Sequence, residues 1–222
     1  MATTYNPRIV TNGLVLCLDA GNPQSYPGSG TTWTDLSRNG NNGTLTNGPT
    51  FSSANKGAIV CDGTDDYIVL PTSASLNFTT GDFAFDCWFL TDVIANSLTI
   101  FGIPTNTTLQ NRNVGAFLDY FNSQTSQNHP LTDNLLTSTW YNVVITRTNG
   151  TIKGFLNKDL KFTLLSNNAT HNFSGTGIGR RTISPLGFYW DGQIAVVRIY
   201  NAGLSDSQVE QNFNALRGRF GI

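Results

Sequence analysis

Carboxylates, imidazoles and thiols do most protein chemistry, and this chain has few that are grouped to do it. Its 222 residues include one glutamate, Glu210, two histidines, His129 and His171, and three cysteines, Cys17, Cys61 and Cys87. Glycoside cleavage ordinarily takes two carboxylates facing one sugar bond, and a zinc centre takes a cluster of His or Cys. Neither pattern is present. Glu210 lies in the polar stretch Ser205-Asp206-Ser207-Gln208-Val209-Glu210-Gln211, which reads as a surface helix. Each cysteine sits among apolar residues with no histidine nearby, where a thiol behaves as a small buried hydrophobe. The expectation is a chain with no catalytic residue, and hence not an enzyme.

Binding chemistry is better represented. Asp62, Asp65 and Asp66 cluster around Gly63. Carboxylates this close either supply oxygens to calcium or bond the amides of their own turn. Four tryptophans, Trp33, Trp88, Trp140 and Trp190, offer flat apolar faces suited to sugar rings. Trp140 opens a strand pattern and reads as packed. Trp88 has the opposite parity to Phe85 and Cys87, so it faces outward or into a second layer. Trp190 and its neighbour Tyr189 follow a loop rich in Gly and Pro and are the best candidates for an exposed aromatic contact. The pair Arg180-Arg181 reads as a solvated loop or as a contact for an anionic glycan or an acidic partner. At the C-terminal end, Arg217 and Arg219 flank Gly218, and the apolar Phe220 and Ile222 lie beyond it, either as an attachment segment or as a tail that folds back onto its own sandwich.

The elements that must position these residues are strands. Charge is low at 12%, with a net of −1, and apolar residues make up 39%. A nucleic-acid partner would show a basic face, and no run reaches the length of a membrane span, so neither partner is expected. The N-terminal residues lack the apolar core of a signal peptide, which points to synthesis in a cytosol. Period-two or compact apolar runs recur at Leu14–Asp19, Ala58–Asp62, Tyr67–Leu70, Phe83–Leu90, Leu98–Gly102, Val114–Phe121, Trp140–Arg147, Thr151–Leu156, Lys161–Leu165, Gly175–Gly179 and Ile194–Tyr200. Asn149-Gly150 between two of them is a hairpin signal. With no alternation of strands and helices, the pattern predicts an all-β, two-sheet antiparallel sandwich, with Phe83, Phe85 and Phe89 in its core. One helix is predicted, capped by Ser205 with Gln208, striped by Val209, Phe213 and Leu216, and ended by Gly218. The whole of 1–222 reads as one domain, with an N-terminal arm over 1–12 and a helix and tail over 205–222.

Several segments together resemble a known family. They are Gly13-Leu14-Val15-Leu16-Cys17-Leu18-Asp19-Ala20, then Trp33-Thr34-Asp35-Leu36-Ser37, then Val60-Cys61-Asp62-Gly63-Thr64-Asp65-Asp66-Tyr67-Ile68, and finally Trp140–Arg147 and Asp191–Asn201. In order, they resemble laminin-G-like domains of the concanavalin A-like lectin/glucanase superfamily over about residues 9 to 217. The resemblance implies a jelly-roll sandwich. It also implies calcium as a cofactor, for which it adds the pair Asp19 and Asp191 to the cluster already named. Ala195 and Val196 stand where many relatives have an acidic pair, and the catalytic acidic strand of the superfamily's glucanases is missing. The stretches Ser25–Gly30 and Asn214–Phe220 are similar to versions in tailed-phage virion proteins. That similarity implies a virion structural protein made in the host cytoplasm, a capsid decoration or fibre-head domain, in an oligomer or larger assembly with other virion proteins. The alternative is a carbohydrate-binding module that recognises host surface glycans.

Overall fold

The computed structural model describes residues 8–94, 98–103, 107–112, 117–122, 126–165, 169–182 and 187–222. Their strands are β1 (Leu14–Asp19), β2 (Thr32–Trp33), β3 (Gly43–Thr46), β4 (Thr50–Ser52), β5 (Ala58–Asp62), β6 (Tyr67–Val69), β7 (Asn77–Thr79), β8 (Phe83–Thr91), β9 (Thr99–Gly102), β10 (Thr107–Arg112), β11 (Phe117–Asn122), β12 (Gln127–Thr132), β13 (Trp140–Thr148), β14 (Thr151–Leu156), β15 (Asp159–Leu164), β16 (His171–Asn172), β17 (Gly177–Ile178) and β18 (Asp191–Tyr200). One helix, α1 (Asp206–Phe220), follows.

The first sheet runs β15-β14-β13-β8-β18-β5-β4, and the second runs β12-β11-β10-β9-β17-β6-β3-β2. All pairings are antiparallel, and β7 with β16 makes a separate two-stranded patch. Strand β18 takes two partners on one edge: its Val196–Tyr200 half pairs with β1 and its Asp191–Ile194 half with β5. The expected two-sheet antiparallel jelly-roll sandwich with one C-terminal helix is what forms. The expected strand Val114–Phe121 falls partly on residues 113–116, outside the described set; its remainder is β11.

Parity explains the layering. Phe83, Phe85, Cys87 and Phe89 of β8 point between the sheets into the main core, all fully buried. Each such phenylalanine contributes roughly 1.5–3 kcal/mol by apolar transfer. The alternate residues Ala84, Trp88 and Leu90 point to the other face of the sheet and are buried too, because α1 and the N-terminal segment cover them. The Asn149-Gly150 hairpin forms as its sequence predicts, with φ of +49° and +75°, the primed turn that matches strand twist. Asn157-Lys158 makes a second such turn without glycine, at φ of +49° and +71°.

The helix begins as expected. Gln208 N–H donates to Ser205 Oγ at 3.3 Å and Ser205 N–H to Gln208 Oε1 at 2.9 Å. It does not end at Gly218. Nothing lies near that glycine to stop it, and one further turn buries Phe220 against Trp88 and Trp140, with ring centroids 4.4 and 4.6 Å apart. The stop is Gly221, left-handed at φ +73°, whose N–H returns to the Arg217 carbonyl.

That extra turn corrects the attachment expectation. Phe220 and Ile222 pack on the chain's own sheet. Arg219 pairs with Asp19 at 2.6 Å and donates to the Asn55 and Gly57 carbonyls, each at 2.6 Å. Of the four residues expected to reach a neighbour, Arg217 alone is exposed. Residues 1–7 of the expected arm lie outside the described set. Val10 is docked: its N–H donates to Asn212 Oδ1 at 2.8 Å and its carbonyl accepts from Tyr200 at 3.1 Å.

Beneath α1, Asp86 is fully buried and held by Arg198 at 3.1 Å, by Asn142 Nδ2 at 2.8 Å and by Asn212 Nδ2 at 3.1 Å. These contacts tie β8, β13, β18 and the helix to one carboxylate and give a buried polar group the partners it needs.

Candidate functional site

All four tryptophans are buried, which corrects the stacking role proposed for them. Trp33 lies in the main core. Trp88 and Trp140 lie under α1. Trp190, expected outside, is fully buried edge-on against Phe89 at 5.5 Å, its Nε1 donating to the Leu90 carbonyl at 3.3 Å. Phe188 before it lies at φ +54°, and the Trp190 side chain lies in the core between the sheets while Tyr189 stays half-exposed.

What surrounds Tyr189 is the best-furnished polar and aromatic surface among the described residues. The segment after β17 folds back over the second sheet. Thr182 Oγ1 donates to the Gly102 carbonyl at 2.6 Å, Arg181 N–H to Gly187 at 3.0 Å, and Thr99 N–H to Phe188 at 2.9 Å. This close crossing requires glycine below it. Gly102 and Gly177 are paired neighbours on β9 and β17. A Cβ on Gly102 would sit 3.0 Å from the Arg180 carbonyl oxygen, and one on Gly177 only 2.7 Å from Arg180 Cγ. The crossing places the Arg180 guanidinium 3.7 Å from the ring centre of Tyr67 and Arg181 over Phe188 at 5.6 Å. Tyr189 completes the group, 6.2 Å from Tyr67. The Nε atoms of Arg180 and Arg181 are buried without a hydrogen-bond partner, and no carboxylate among the described residues pairs with either guanidinium. Tyr67 was quoted in a motif but not recognised as part of a site; its position two residues before Val69 on a half-buried strand end was the available signal.

The acidic turn lies next to this surface. Asp62, Asp65 and Asp66 bring one oxygen each within 4.8 Å of one another. Asp62 Oδ1 accepts from Thr64 N–H at 2.8 Å and Asp66 Oδ2 from Asp62 N–H at 3.2 Å, so two of the three carboxylates close the turn. The Thr64 amide holds the Asp62 carboxyl below its usual range, whereas burial first and the Asp62 charge second push Asp66 up. Calcium takes 6–8 oxygens. Three side chains with two oxygens already engaged would hold it only with water making up the remainder, and turn closure accounts for the arrangement without an ion.

The other calcium pairing is corrected by register. Asp19 stands opposite Val196 and Asp191 opposite Asp62, five residues apart on β18, or roughly 16 Å at strand spacing. Asp19 is in any case paired with Arg219. Asp191 joins the acidic turn instead; burial first, then the charges of Asp92 and Asp62, raise its carboxyl.

Glu210, the thiols and His171 are engaged in structure. Glu210 is exposed on α1 and paired with Lys158 at 2.9 Å. The thiols are free and buried, as expected, and burial pushes Cys17 up to about 11. His171 is buried beside Arg147, with Nδ1 3.0 Å from the Ala169 carbonyl and Nε2 2.7 Å from Tyr120 Oη. Nδ1 also lies 3.2 Å from the Arg147 guanidinium, so a donor and an acceptor face the same ring nitrogen. Burial, reinforced by Arg147, lowers its pKa to about 3. A groove of about 1110 Å³ lies far from the tyrosines, between Asp19, Lys56 and Arg217 at the end of α1. It offers no aromatic face, and its Arg219 is already paired, so Tyr67, Arg180, Arg181 and Tyr189 make the better candidate site.

With this geometry, the family assignment rests on both fold and sequence. The chain belongs to the Laminin_G_3 family of the concanavalin A-like lectin/glucanases superfamily, whose model matches residues 62–210. No curated protein matches the sequence. Among solved structures, the binding domain of a paraclostridial mosquitocidal protein is similar with a TM-score of 0.71 and 15% identity, over 92% of this chain and 52% of that one. This chain thus spans about half the length of that structure. Domain 4 of a GH43 extracellular arabinanase from Geobacillus stearothermophilus, solved with arabinotriose, gives 0.66 and 18%, over 91% of this chain and 98% of that one. The ligand-binding domain of botulinum neurotoxin serotype D, solved with N-acetylneuraminic acid, gives 0.68 and 15%, over 92% of this chain and 51% of that one. At these identities the likeness is one of fold.

Proposed function

We propose that this chain is a non-catalytic carbohydrate-binding domain whose ligand surface is Tyr189 with the Tyr67-backed Arg180. The observation that carries the reading is the contrast in commitment: all four tryptophans are buried, while this tyrosine–arginine group is half-exposed, rigidly supported and unpaired. A tyrosine ring gives an apolar face and a polar edge, and a guanidinium lying flat on a ring keeps its N–H edge for hydroxyl oxygens. Structural neighbours solved with arabinotriose and N-acetylneuraminic acid support a glycan as the ligand class. Glu210 is ion-paired on the helix and His171 is sealed in the core, and of the carboxylates beside the surface Asp62 and Asp66 accept amides of their own turn, which favours binding over acid–base work. Binding to a glycan array, weakened by Tyr189→Ala with an unchanged melting temperature, is the expected result. Binding untouched by Tyr189→Ala and by Tyr67→Ala would move the site elsewhere.

A second reading places the domain on a virion, as a capsid decoration or fibre head that presents this site to host glycans. The resemblance of Ser25–Gly30 and Asn214–Phe220 to phage virion segments favours it. Docking would then use Arg217 and the groove beside it, because Arg219, Phe220 and Ile222 are taken up internally. Co-sedimentation with capsids that Arg217→Glu abolishes would support this location, and absence of any association would remove it.

A further inference from the structure

We infer that the ligand is an anionic sugar, and that Arg180 and Arg181 select it through its acid group; this rests on the carbohydrate-binding reading above. Three largely buried arginines show what a guanidinium does here when it is structural. Arg198 pairs with Asp86, Arg219 with Asp19 and two carbonyls, and Arg147 with the carbonyls of Thr79, Gly81 and Ala169. Arg180 and Arg181 differ from these three. They are consecutive, half-buried, each laid against an aromatic ring, and neither has an oxygen partner among the described residues.

Two unpaired cations in one short segment repel each other and cost free energy unless something anionic is shared between them. Their backbone is fixed by the bonds to Gly187 and Gly102, so little ordering remains for a ligand to impose. A guanidinium fork matches a planar carboxylate or a tetrahedral sulfate with two parallel bonds. The nearby carboxylates Asp62 and Asp65 are exposed, with no cation paired to them. They would repel an acid group placed over the turn and accept bonds from hydroxyls placed there. The cations therefore fix where the acid group lies, and Tyr189 is the ring face within reach of the same sugar.

The test measures binding of three matched probes to the intact chain: lactose, lactose capped with N-acetylneuraminic acid, and sulfated lactose. The variants are Arg180→Gln with Arg181→Gln, which keep the methylenes that cover Gly177, and separately Tyr189→Ala. At least a tenfold preference for an acidic probe is expected, with the capped and sulfated arms telling carboxylate from sulfate. The arginine variant should erase that preference, bringing the acidic probes down to the level of lactose, while Tyr189→Ala weakens all probes. Equal binding of lactose and both acidic forms, or a preference that survives the arginine variant, overturns the inference and leaves the carbohydrate reading standing. No binding of any probe, with a glycan array equally blank, overturns both.

Discussion

Arg219 and Arg180 stand on opposite faces of one sandwich, each beside an aromatic ring, and only one of them is finished. Arg219 lies 4.9 Å from the Phe220 ring and also meets Asp19, Asn55 and Gly57. Arg180 lies 3.7 Å from the Tyr67 ring and meets no oxygen among the described residues. Under α1 a similar vocabulary of arginine, aspartate and aromatic is closed by the chain itself, down to the buried Asp86 carboxylate. Over β9 and β17 it is left open. Residue types alone therefore do not mark a site; the missing partner does.

One substitution made on both faces should expose the difference most. Arg198→Met leaves Asp86 buried and uncompensated and is expected to cost about 3–5 kcal/mol, a fall in melting temperature on the order of 10 °C. Arg180→Met should stay within about 0.5 kcal/mol. Similar losses from both, read by thermal denaturation, would break the comparison. Next in size is a pH effect. His171 in the unfolded chain takes up a proton near 6.5, whereas the folded chain keeps it neutral to about 3. Between those values the unfolded state binds more protons. Its contribution is therefore complete above pH 6.5 and is lost as pH falls towards 3, on the order of 5 kcal/mol in all. Denaturant midpoints across that window should show the slope, and His171→Gln should flatten it. Phe220→Ala should cost about 3 kcal/mol, because the ring fills the space between Trp88 and Trp140. Removing Gly218–Ile222 should likewise lower the melting temperature, and an unchanged melt would show the tail to be free after all. The smallest effect on stability is expected at Tyr189→Ala, below about 1 kcal/mol, accompanied by roughly tenfold weaker glycan binding.

Much of the sandwich was legible because its central strands are regular. Leu14–Asp19, Ala58–Asp62 and Thr151–Leu156 are read at their observed limits, since apolar runs bounded by Gly, Asn and Asp leave little choice. The strands β2, β4, β7 and β16, of two or three residues, are too short to show a period. The site was half legible. Tyr189, Arg180 and Arg181 were singled out by type, but Trp190 was placed outside, because burial there depends on Phe89 and Leu90 about 100 residues away. Asp19 and Asp191 were paired on family grounds, and register separates them. Gly218 looked like a helix stop since glycine often is one; the apolar contact at Phe220 outweighs a propensity of about 1 kcal/mol.

The position of β18 has a consequence for how the chain acquires its shape. Among the described residues its ten residues alone link β8 on one side with both β1 and β5 on the other. On a ribosome β1, whose one strand partner among the described residues is β18, must therefore wait unpaired until residues 191–200 are made. Closure of the first sheet is then a late event joined across a long sequence separation, which predicts slow folding and an interval in which exposed strand edges favour association between nascent copies.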